Sequence, residues 1–241
     1  MSGRLLGIGV GPGDPELVTL KAMRALKEAD LVVHFAKTGS ASQARKIAAS
    51  HLKTGVEELP LYYPLTSEVP RHGCVYRDAL REFYDAAAGS LAVQLDAGRA
   101  VAVICEGDPF FYGSYMHLHV RLASRYPTQV IAGVTGMSGC WSAAGTPIAQ
   151  GDDVFMVLPA TLPESELERR LADADAAVVM KLGRHLPKIR RTLARIGRLE
   201  HAIYVERGST AAAVMTPLAD KPDDLAPYFA IVLMPGWGER L

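Results

Sequence analysis

Two glycine-bearing turns, each with an aspartate, are the parts of this sequence best suited to hold a ligand. The first turn runs from Gly7 to Asp14 as G-I-G-V-G-P-G-D, and the second is Gly107-Asp108-Pro109. Glycine has no Cβ, so the backbone can bend sharply there and a ligand can approach it closely. Each turn follows a short apolar run, and open α/β sheets bind ligands at the carboxyl ends of their strands. The sequence therefore predicts a binding site built from these two turns.

The glycine spacing argues against a nucleotide phosphate as that ligand. A G-x-G-x-x-G pattern starting at Gly9 would need glycine at position 14, where Asp14 stands, and no Gly-Lys-Ser/Thr follows to make a Walker loop. Asp14 and Asp108 would also repel a pyrophosphate. S-adenosylmethionine fits better, because it has an adenosine to bury, an ammonium and a carboxylate to hydrogen-bond, and a sulfonium cation that tolerates nearby carbonyl groups.

These turns need strands before them and helices after them, and the first half of the chain supplies both. Asp14 is a good N-cap, and Pro15 with Glu16 suits the first turn of a helix that we expect to reach Asp30. The apolar run 101–105 is typical of a strand buried on both faces. Further strands are expected at 5–10, 31–35 and 129–134, helices at 42–53, 80–95 and 116–126, and an aromatic, proline-bearing loop at 61–66.

The second half of the chain has a different pattern, with several strands and few helices between the last ones. Thr161 with Glu164 predicts a capping box that opens a helix through Leu171. A basic helix is expected at 187–196, and strands at 154–158, 177–180, 201–205, 211–215 and 229–234. We therefore predict an α/β protein of two domains. Residues 1–136 form a mainly parallel sheet, residues 137–241 form a mixed sheet, and the boundary lies near Thr135-Gly136.

Composition excludes several classes of function. Lys plus Arg equals Asp plus Glu at 26 each, whereas nucleic-acid and membrane-surface binders need a basic excess. Three widely spaced cysteines, without a C-x-x-C pair, argue against a disulfide framework or a structural zinc site. His117 and His119 stand two apart on a predicted helix, where side chains diverge, so we predict no metal site. No apolar run is long enough to cross a membrane, and we expect a cytoplasmic protein.

Several motifs together resemble the tetrapyrrole (corrin/porphyrin) methylase family. The stretch from Gly7 to Leu17, followed by Ala29-Asp30-Leu31-Val32, is similar to the opening of that family. Gly107-Asp108-Pro109 resembles its second motif and Gly133-Val134-Thr135 its third. The resemblance covers essentially the whole chain. It is closest to one branch of the family in the segments 63–66, 106–118, 151–153 and 181–185.

The resemblance implies a two-domain methyltransferase, usually a homodimer, that folds S-adenosyl-L-methionine into a cleft between its domains. It implies a small tetrapyrrole substrate of cobalamin biosynthesis, methylated at the bridge carbon C20, with neither nucleic acid nor membrane as partner. Glu106 departs from the family's commoner glycine but suits this branch. The implied cofactor contacts are Pro12, Glu106, Gly107, Asp108, Phe111, Tyr112, Thr135 and Gly136 in the first domain, and Leu182, Tyr204 and Ala230 in the second.

The same resemblance requires a proton acceptor and groups for the substrate's carboxylates. Glu106, Tyr112 and His117 are candidate proton acceptors. The alternatives are that Tyr112 only lines the pocket and that His117 is an ordinary residue on a helix surface. Carboxylates are commonly bound by Arg and Lys, which donate charge-assisted hydrogen bonds to them. The candidates for this role are Arg184, His185 and Lys188, with Arg71, His72 and Arg77 beside the 61–66 loop, whereas Arg190, Arg191 and Arg195 are interpreted as a solvated helix face.

Four other functions remain open at this stage. Within the fold, they are methylation of another corrin carbon or of a cobalt-loaded ring, and methylation of RNA or protein. Outside it, they are a nucleotide-linked oxidoreductase and a non-catalytic tetrapyrrole carrier. The missing basic surplus argues against RNA, and the failed glycine spacing argues against the oxidoreductase.

Overall fold

The chain divides into two compact units, Met1–Gly136 and Met137–Leu241. The computed structural model describes residues 3–64 and 74–236. The candidates Arg71 and His72 lie outside the described residues. Within those ranges, no helix combines the length and apolar character needed to cross a membrane.

The first unit is a five-stranded, wholly parallel sheet in the order β3-β2-β4-β1-β5. Its central strand β4 is buried along its full length, as its continuous apolar sequence predicts. Helices α1 and α2 contribute to the core on one face of the sheet, and α3 and α4 to the core on the other. The elements are β1 Arg4–Gly9, α1 Leu20–Glu28, β2 Leu31–Lys37, α2 Gln43–Ala48, β3 Glu57–Tyr63, α3 Cys74–Asp96, β4 Ala100–Cys105, α4 Tyr115–Leu122 and β5 Thr128–Ile131.

The second unit is a mixed sheet in the order β6-β7-β10-β8-β9. Strands β6 and β7 are parallel, and the other neighbouring pairs are antiparallel. Helices α6 and α7 supply Leu167, Leu171, Ile189 and Leu193 to its larger core. The elements are α5 Gly136–Ala143, which starts at the last residue of the first unit, β6 Phe155–Pro159, α6 Glu164–Asp173, β7 Ala176–Met180, α7 Leu186–Arg195, β8 Ile203–Glu206, β9 Val214–Pro217 and β10 Ala230–Met234. The predicted pairing of a parallel sheet with a mixed one is confirmed.

Three local predictions were wrong. The expected loop at 61–66 overlaps β3, an edge strand that tolerates Pro60 because it pairs only with β2. The helix expected after Asp14 is instead a short 3-10 helix, Pro15–Leu17, and α1 begins separately with Thr19 as its N-cap. The Thr161 capping box does not form, because α6 begins after Pro163 without a side-chain cap and the Glu164 carboxylate bonds Arg191 and Arg195 instead.

Candidate functional site

The turns after β1, β4 and β5 meet at one end of the parallel sheet, because these three strands are neighbours in it. The first two turns are joined by backbone hydrogen bonds. Val10 N donates to Cys105 O at 2.9 Å, and Gly107 N donates to Gly11 O at 2.8 Å. The two glycine turns that the sequence singled out therefore form one structure.

Three glycines pack backbone against backbone where these turns meet. A Cβ on Gly133 would lie 2.1 Å from Gly107 O, and a Cβ on Gly9 would lie 2.5 Å from the same oxygen. Gly9 and Gly133 are thus required by the contact between turns rather than by a ligand. Gly107 needs glycine for a different reason, since its φ of 62° lies in the left-handed region. By contrast, a Cβ on Gly136 would meet nothing within 4 Å, so space is open beside this turn.

Asp108 ties two of the three turns together. One carboxylate oxygen accepts from Phe110 N at 2.9 Å, and the other accepts from Gly133 N at 3.1 Å. Both bonds are charge-assisted, so this side chain holds the β4 turn against the β5 turn. Asp14 does not join turns in the described chain, because its carboxylate accepts from Glu16 N at 2.9 Å within its own turn.

We expect Asp108→Asn to lower the free energy of unfolding by about 1.5–3 kcal/mol, since the amide can keep one acceptor but must turn a donor toward the second N–H. Asp14→Asn is the matched control. Asparagine is as good an N-cap as aspartate, so its effect should stay within about 0.5 kcal/mol. Urea unfolding of both variants measures the difference, and equal losses would contradict the tethering role of Asp108.

Glu106 is the last residue before the bend at Gly107, and its side chain turns toward α2. The Ala44 backbone N–H at the start of α2 hydrogen-bonds to its carboxylate, and burial raises the pKa of this carboxyl to about 7. In the described part of the chain, no lysine or arginine forms an ion pair with it. At neutral pH, Glu106 is therefore a half-buried acid close to half ionisation.

The turn from Asp108 to Ser114 is compact and presents aromatic side chains. A Cβ on Gly113 would lie 2.6 Å from Pro109 O, so the chain folds tightly back on itself. Tyr112 adopts φ 56°, an unusual conformation for a tyrosine, and its side chain is exposed. Such backbone strain is common at binding sites. Phe111 is half-buried and packs edge-on against Tyr112, with ring centroids 5.0 Å apart.

His117 lies on the other side of the sheet from Glu106. Its ring stacks on Tyr84 of α3 with centroids 4.2 Å apart, and burial together with the nearby Arg121 lowers its pKa. Since α2 and α3 cover opposite faces, the structure separates these two candidate proton acceptors. His119 is engaged elsewhere, because its Nδ1 lies 3.2 Å from the hydroxyl of Tyr115.

The remaining first-unit candidates, Pro12 and Thr135, flank the joined turns and are half-buried. Pro12 follows Gly11, whose φ of 80° bends the first turn. Thr135 precedes Gly136 at the open space described above. Together with Gly107 and Tyr112, they bring all the predicted first-unit contacts to the same end of the sheet.

The three candidate cofactor contacts of the second unit are enclosed in its core. Leu182, Tyr204 and Ala230 are each about 1% exposed. The Tyr204 hydroxyl donates to Glu206 at 3.0 Å, and the Lys221 ammonium lies 4.7 Å from the centre of its ring. Their side chains stabilise the fold, and their role toward a ligand stays a prediction.

A different segment of the second unit has features typical of a ligand site that sequence reasoning missed. Arg207 and Ser209 adopt φ values of 50° and 64°, on either side of Gly208. A Cβ on Gly208 would lie 2.7 Å from Cys140 Sγ, so this loop is pressed against α5. The Ser209 hydroxyl is buried and has no hydrogen-bond partner in the described chain. The sequence signal was weak, because a lone glycine after a strand has many explanations.

The candidate substrate-binding residues lie around the start of α7. Arg184 is exposed and has neither an ion pair nor a hydrogen bond from its guanidinium to any described residue, and His185 precedes the helix. Lys188 donates to Leu162 O at 2.6 Å, and burial lowers its pKa. Of the three, Arg184 is best able to take a carboxylate from solution.

The interpretation of the next arginines as a solvated face was wrong for Arg190. Its guanidinium is half-buried and donates to the carbonyl oxygens of Leu218 and Lys221 at 3.1 and 2.8 Å, which fixes that loop. Arg191 and Arg195 are more exposed, and they pair with Glu164 across the two helices.

Comparison with known proteins gives a consistent result. The family of Tetrapyrrole (Corrin/Porphyrin) Methylases matches residues 4–221. A precorrin-2 C(20)-methyltransferase of Sinorhizobium sp is 58% identical over 238 residues, which cover 99% of this chain and 97% of that protein. A cobalt-precorrin-2 C(20)-methyltransferase of Salmonella typhimurium is 26% identical, and 97% of each chain is covered.

Solved structures share the fold. A cobalt precorrin-4 methyltransferase superposes with a TM-score of 0.73 at 22% identity, covering 96% of this chain and 94% of that one. A uroporphyrin-III C-methyl transferase of Thermus thermophilus, complexed with S-adenosyl homocysteine, gives 0.64 at 24% identity and covers 97% and 92%. With the match of its sequence over nearly its whole length, this chain is a methyltransferase and belongs to the tetrapyrrole (corrin/porphyrin) methylase family.

Proposed function

We propose that this protein transfers a methyl group from S-adenosylmethionine to C20 of precorrin-2, giving precorrin-3A, in cobalamin biosynthesis. One observation carries the proposal: the 58% identity, over 99% of the chain, to a precorrin-2 C(20)-methyltransferase. Two relatives whose names specify the cobalt-containing substrate are much more distant, at 26% and 27% identity. This difference favours the metal-free ring. The cobalt-loaded ring, another ring carbon and a non-catalytic carrier are the alternatives to test.

The first-unit site fits this methyl donor. The donor would bring a methyl group on a sulfonium and an ammonium at its amino-acid end. Glu106 offers a half-buried carboxyl without a cationic partner in the described chain, which suits a cation. Gly136 exposes backbone next to open space, and Gly107 packs against it. Pro12, Phe111, Tyr112 and Thr135 complete the proposed contacts, and Asp108 acts by holding Gly133 in place.

The proposed donor contacts in the second unit rest on two kinds of support. Leu182, Tyr204 and Ala230 are carried over from the family resemblance, although their side chains are buried. The Ser209 hydroxyl, which has no partner among the described residues, is the better candidate for a hydrogen bond to the donor, because a buried polar group without a partner costs stability until it is satisfied.

The chemistry asks little of the protein beyond position. The methyl carbon is displaced in line from sulfur to an electron-rich ring carbon, and orienting the pair can supply roughly 7–11 kcal/mol of the barrier reduction. A dry site also helps, since the sulfonium charge disperses in the transition state. A proton must then leave C20. Glu106, Tyr112 and His117 are the proposed acceptors, and the pKa of Glu106 near 7 suits a base at neutral pH.

The test is transfer of a labelled methyl group. The protein is incubated with labelled S-adenosylmethionine and either metal-free or cobalt-loaded precorrin-2, and the label is located by NMR. We expect label on C20 of the metal-free ring. Label on another carbon would move the enzyme to another step, label on the cobalt ring alone would select the alternative substrate, and tight ring binding without label would favour a carrier.

We expect Arg184→Ala to raise the KM for the tetrapyrrole about tenfold or more, because one charge-assisted hydrogen bond to a carboxylate contributes about 1.5–3 kcal/mol. The Kd for S-adenosylhomocysteine, measured by calorimetry, should change less than twofold. Arg191→Ala is the control, since Arg191 is already paired with Glu164. If cofactor binding weakens and the tetrapyrrole KM does not change, Arg184 belongs to the donor site.

The homodimer implied by the family resemblance and the cytoplasmic location expected from the sequence both stay predictions. Sedimentation equilibrium of the purified protein would decide the first, because a dimer doubles the mass of 25.9 kDa.

A further inference from the structure

Glu106 is the one feature of the first-unit site whose chemistry the described chain leaves incomplete. Two other half-buried carboxylates, Glu58 and Glu164, have a cationic partner: Glu58 pairs with Arg45, and Glu164 pairs with Arg191. Among the described residues, the Glu106 carboxyl has only the Ala44 N–H, a neutral donor. A carboxylate removed from water without a cation is unfavourable, so it takes up a proton instead.

The position of Glu106 suggests what would replace the missing cation. It directly follows the central strand β4 of the parallel sheet and precedes the bend at Gly107, where the turns meet. Parallel sheets bind their ligands at this edge. A positively charged group bound there would stabilise the ionised form of Glu106 and displace its proton.

We propose that Glu106 is the counter-ion for the cationic methionine end of the methyl donor, and that donor binding releases its proton. The inference rests on the proposed function for the identity of the donor. It adds a residue role and a coupling between pH and donor affinity.

The balance of this step is simple. In the free protein near pH 7, Glu106 is a mixture of –COOH and –COO⁻. On binding, the –COO⁻ form pairs with the sulfonium or the ammonium, and the proton passes to buffer. No covalent bond of the donor changes. The ionised carboxylate left at the site is also in the form that could later accept the proton from C20.

Neighbouring charges do not account for the raised pKa of Glu106. Arg45 on α2 bonds Glu58, and Nε2 of His34 lies 3.6 Å from that same carboxylate. Asp108 is held by two backbone N–H groups. None of them shifts the pKa of Glu106, which burial alone raises. The elements around it carry the titratable groups Cys105 on β4, Asp108 in the following turn, Asp14 after β1, His34 and Lys37 on β2, and Arg45 and Lys46 on α2.

The test is calorimetric titration of the intact protein with S-adenosylhomocysteine and with S-adenosylmethionine between pH 6 and 8. If binding lowers the pKa of Glu106 from about 7 to below about 5, affinity should weaken about tenfold from pH 8 to pH 6. Titrations at pH 7 in buffers of different ionisation enthalpy should show release of about half a proton per site.

Two ligands and two variants separate the explanations. A pH slope with both ligands assigns the ammonium as partner, and a steeper slope with S-adenosylmethionine assigns the sulfonium; either result supports the proposal. Glu106→Gln should bind more weakly at pH 8 and show no slope. Glu57→Gln should match the wild type. Glu57 begins β3, at the end of the parallel sheet away from the glycine turns, and it pairs with Arg99.

Binding without a pH slope, or without proton release, would overturn the proposal while leaving the methyltransferase function intact. A slope that persists in Glu106→Gln would assign the titration to another group and also overturn it. If neither ligand binds the wild type, the proposed function itself fails. Should Glu106→Gln not fold, proton release by the wild type decides alone.

Discussion

Gly133→Ala is expected to lower the free energy of unfolding by about 3 kcal/mol or more and to abolish donor binding. The new methyl group would lie 2.1 Å from Gly107 O and 2.9 Å from the backbone of Gly9. Those neighbours are backbone atoms and cannot rotate away, so whole turns must move, and overpacking of this kind costs about 1–3 kcal/mol even where side chains can adjust. The moved turns are the ones that carry Gly107 and Glu106.

The measurement is urea unfolding, followed by calorimetry with S-adenosylhomocysteine on whatever folded protein remains. Gly89→Ala is the matched control. Gly89 lies within α3, where a Cβ would meet nothing within 4 Å, so alanine should be neutral or stabilise by up to about 1 kcal/mol. If Gly133→Ala is as stable as the wild type and binds the ligand normally, the three turns do not depend on this contact.

Much of the first unit was predictable from local patterns. The continuous apolar run of β4 predicts a strand buried on both faces, and the glycine after it predicts the bend that φ 62° at Gly107 confirms. The mixed character of the second sheet also follows from its closely spaced strands. These properties depend on residues adjacent in sequence, which is why one sequence sufficed.

Other features depend on residues distant in sequence and could not be predicted. Strand β3 contains a proline and two acidic residues, which are poor strand signals. It can form because it lies at the edge of the sheet, and its edge position is not visible in the sequence. Helix α5 contains two glycines, so its sequence is a poor helix signal. Asp108 was predicted as a cofactor contact. Its carboxylate instead accepts a hydrogen bond from Gly133 N, 25 residues away, and so links two turns. For Glu106, the sequence indicated a carboxylate but not the burial that governs its ionisation.

Glu106→Gln should stabilise the ligand-free protein at high pH, although it removes a proposed binding group. The folded pKa of Glu106 is raised from its ordinary 4.5 to about 7, so folding favours the protonated form. Glu106 therefore does not lower the free energy of unfolding below about pH 4.5. Its destabilising effect grows as pH rises toward 7 and reaches its full size above pH 7. Each pH unit between the two pKa values corresponds to about 1.4 kcal/mol, which gives a cost of about 2–3 kcal/mol at pH 8 after allowing for partial exposure.

Glutamine is neutral at every pH and can still accept from the Ala44 N–H, so it removes the cost and keeps the bond. Urea unfolding of both proteins at pH 5 and pH 8 tests this: the variant should be more stable by about 2–3 kcal/mol at pH 8 and by less than about 1 kcal/mol at pH 5. A variant that is less stable at both values would make Glu106 a structural carboxylate. A gain in stability together with weaker donor binding would show a cost that the fold tolerates for function, as strained or desolvated site residues commonly do.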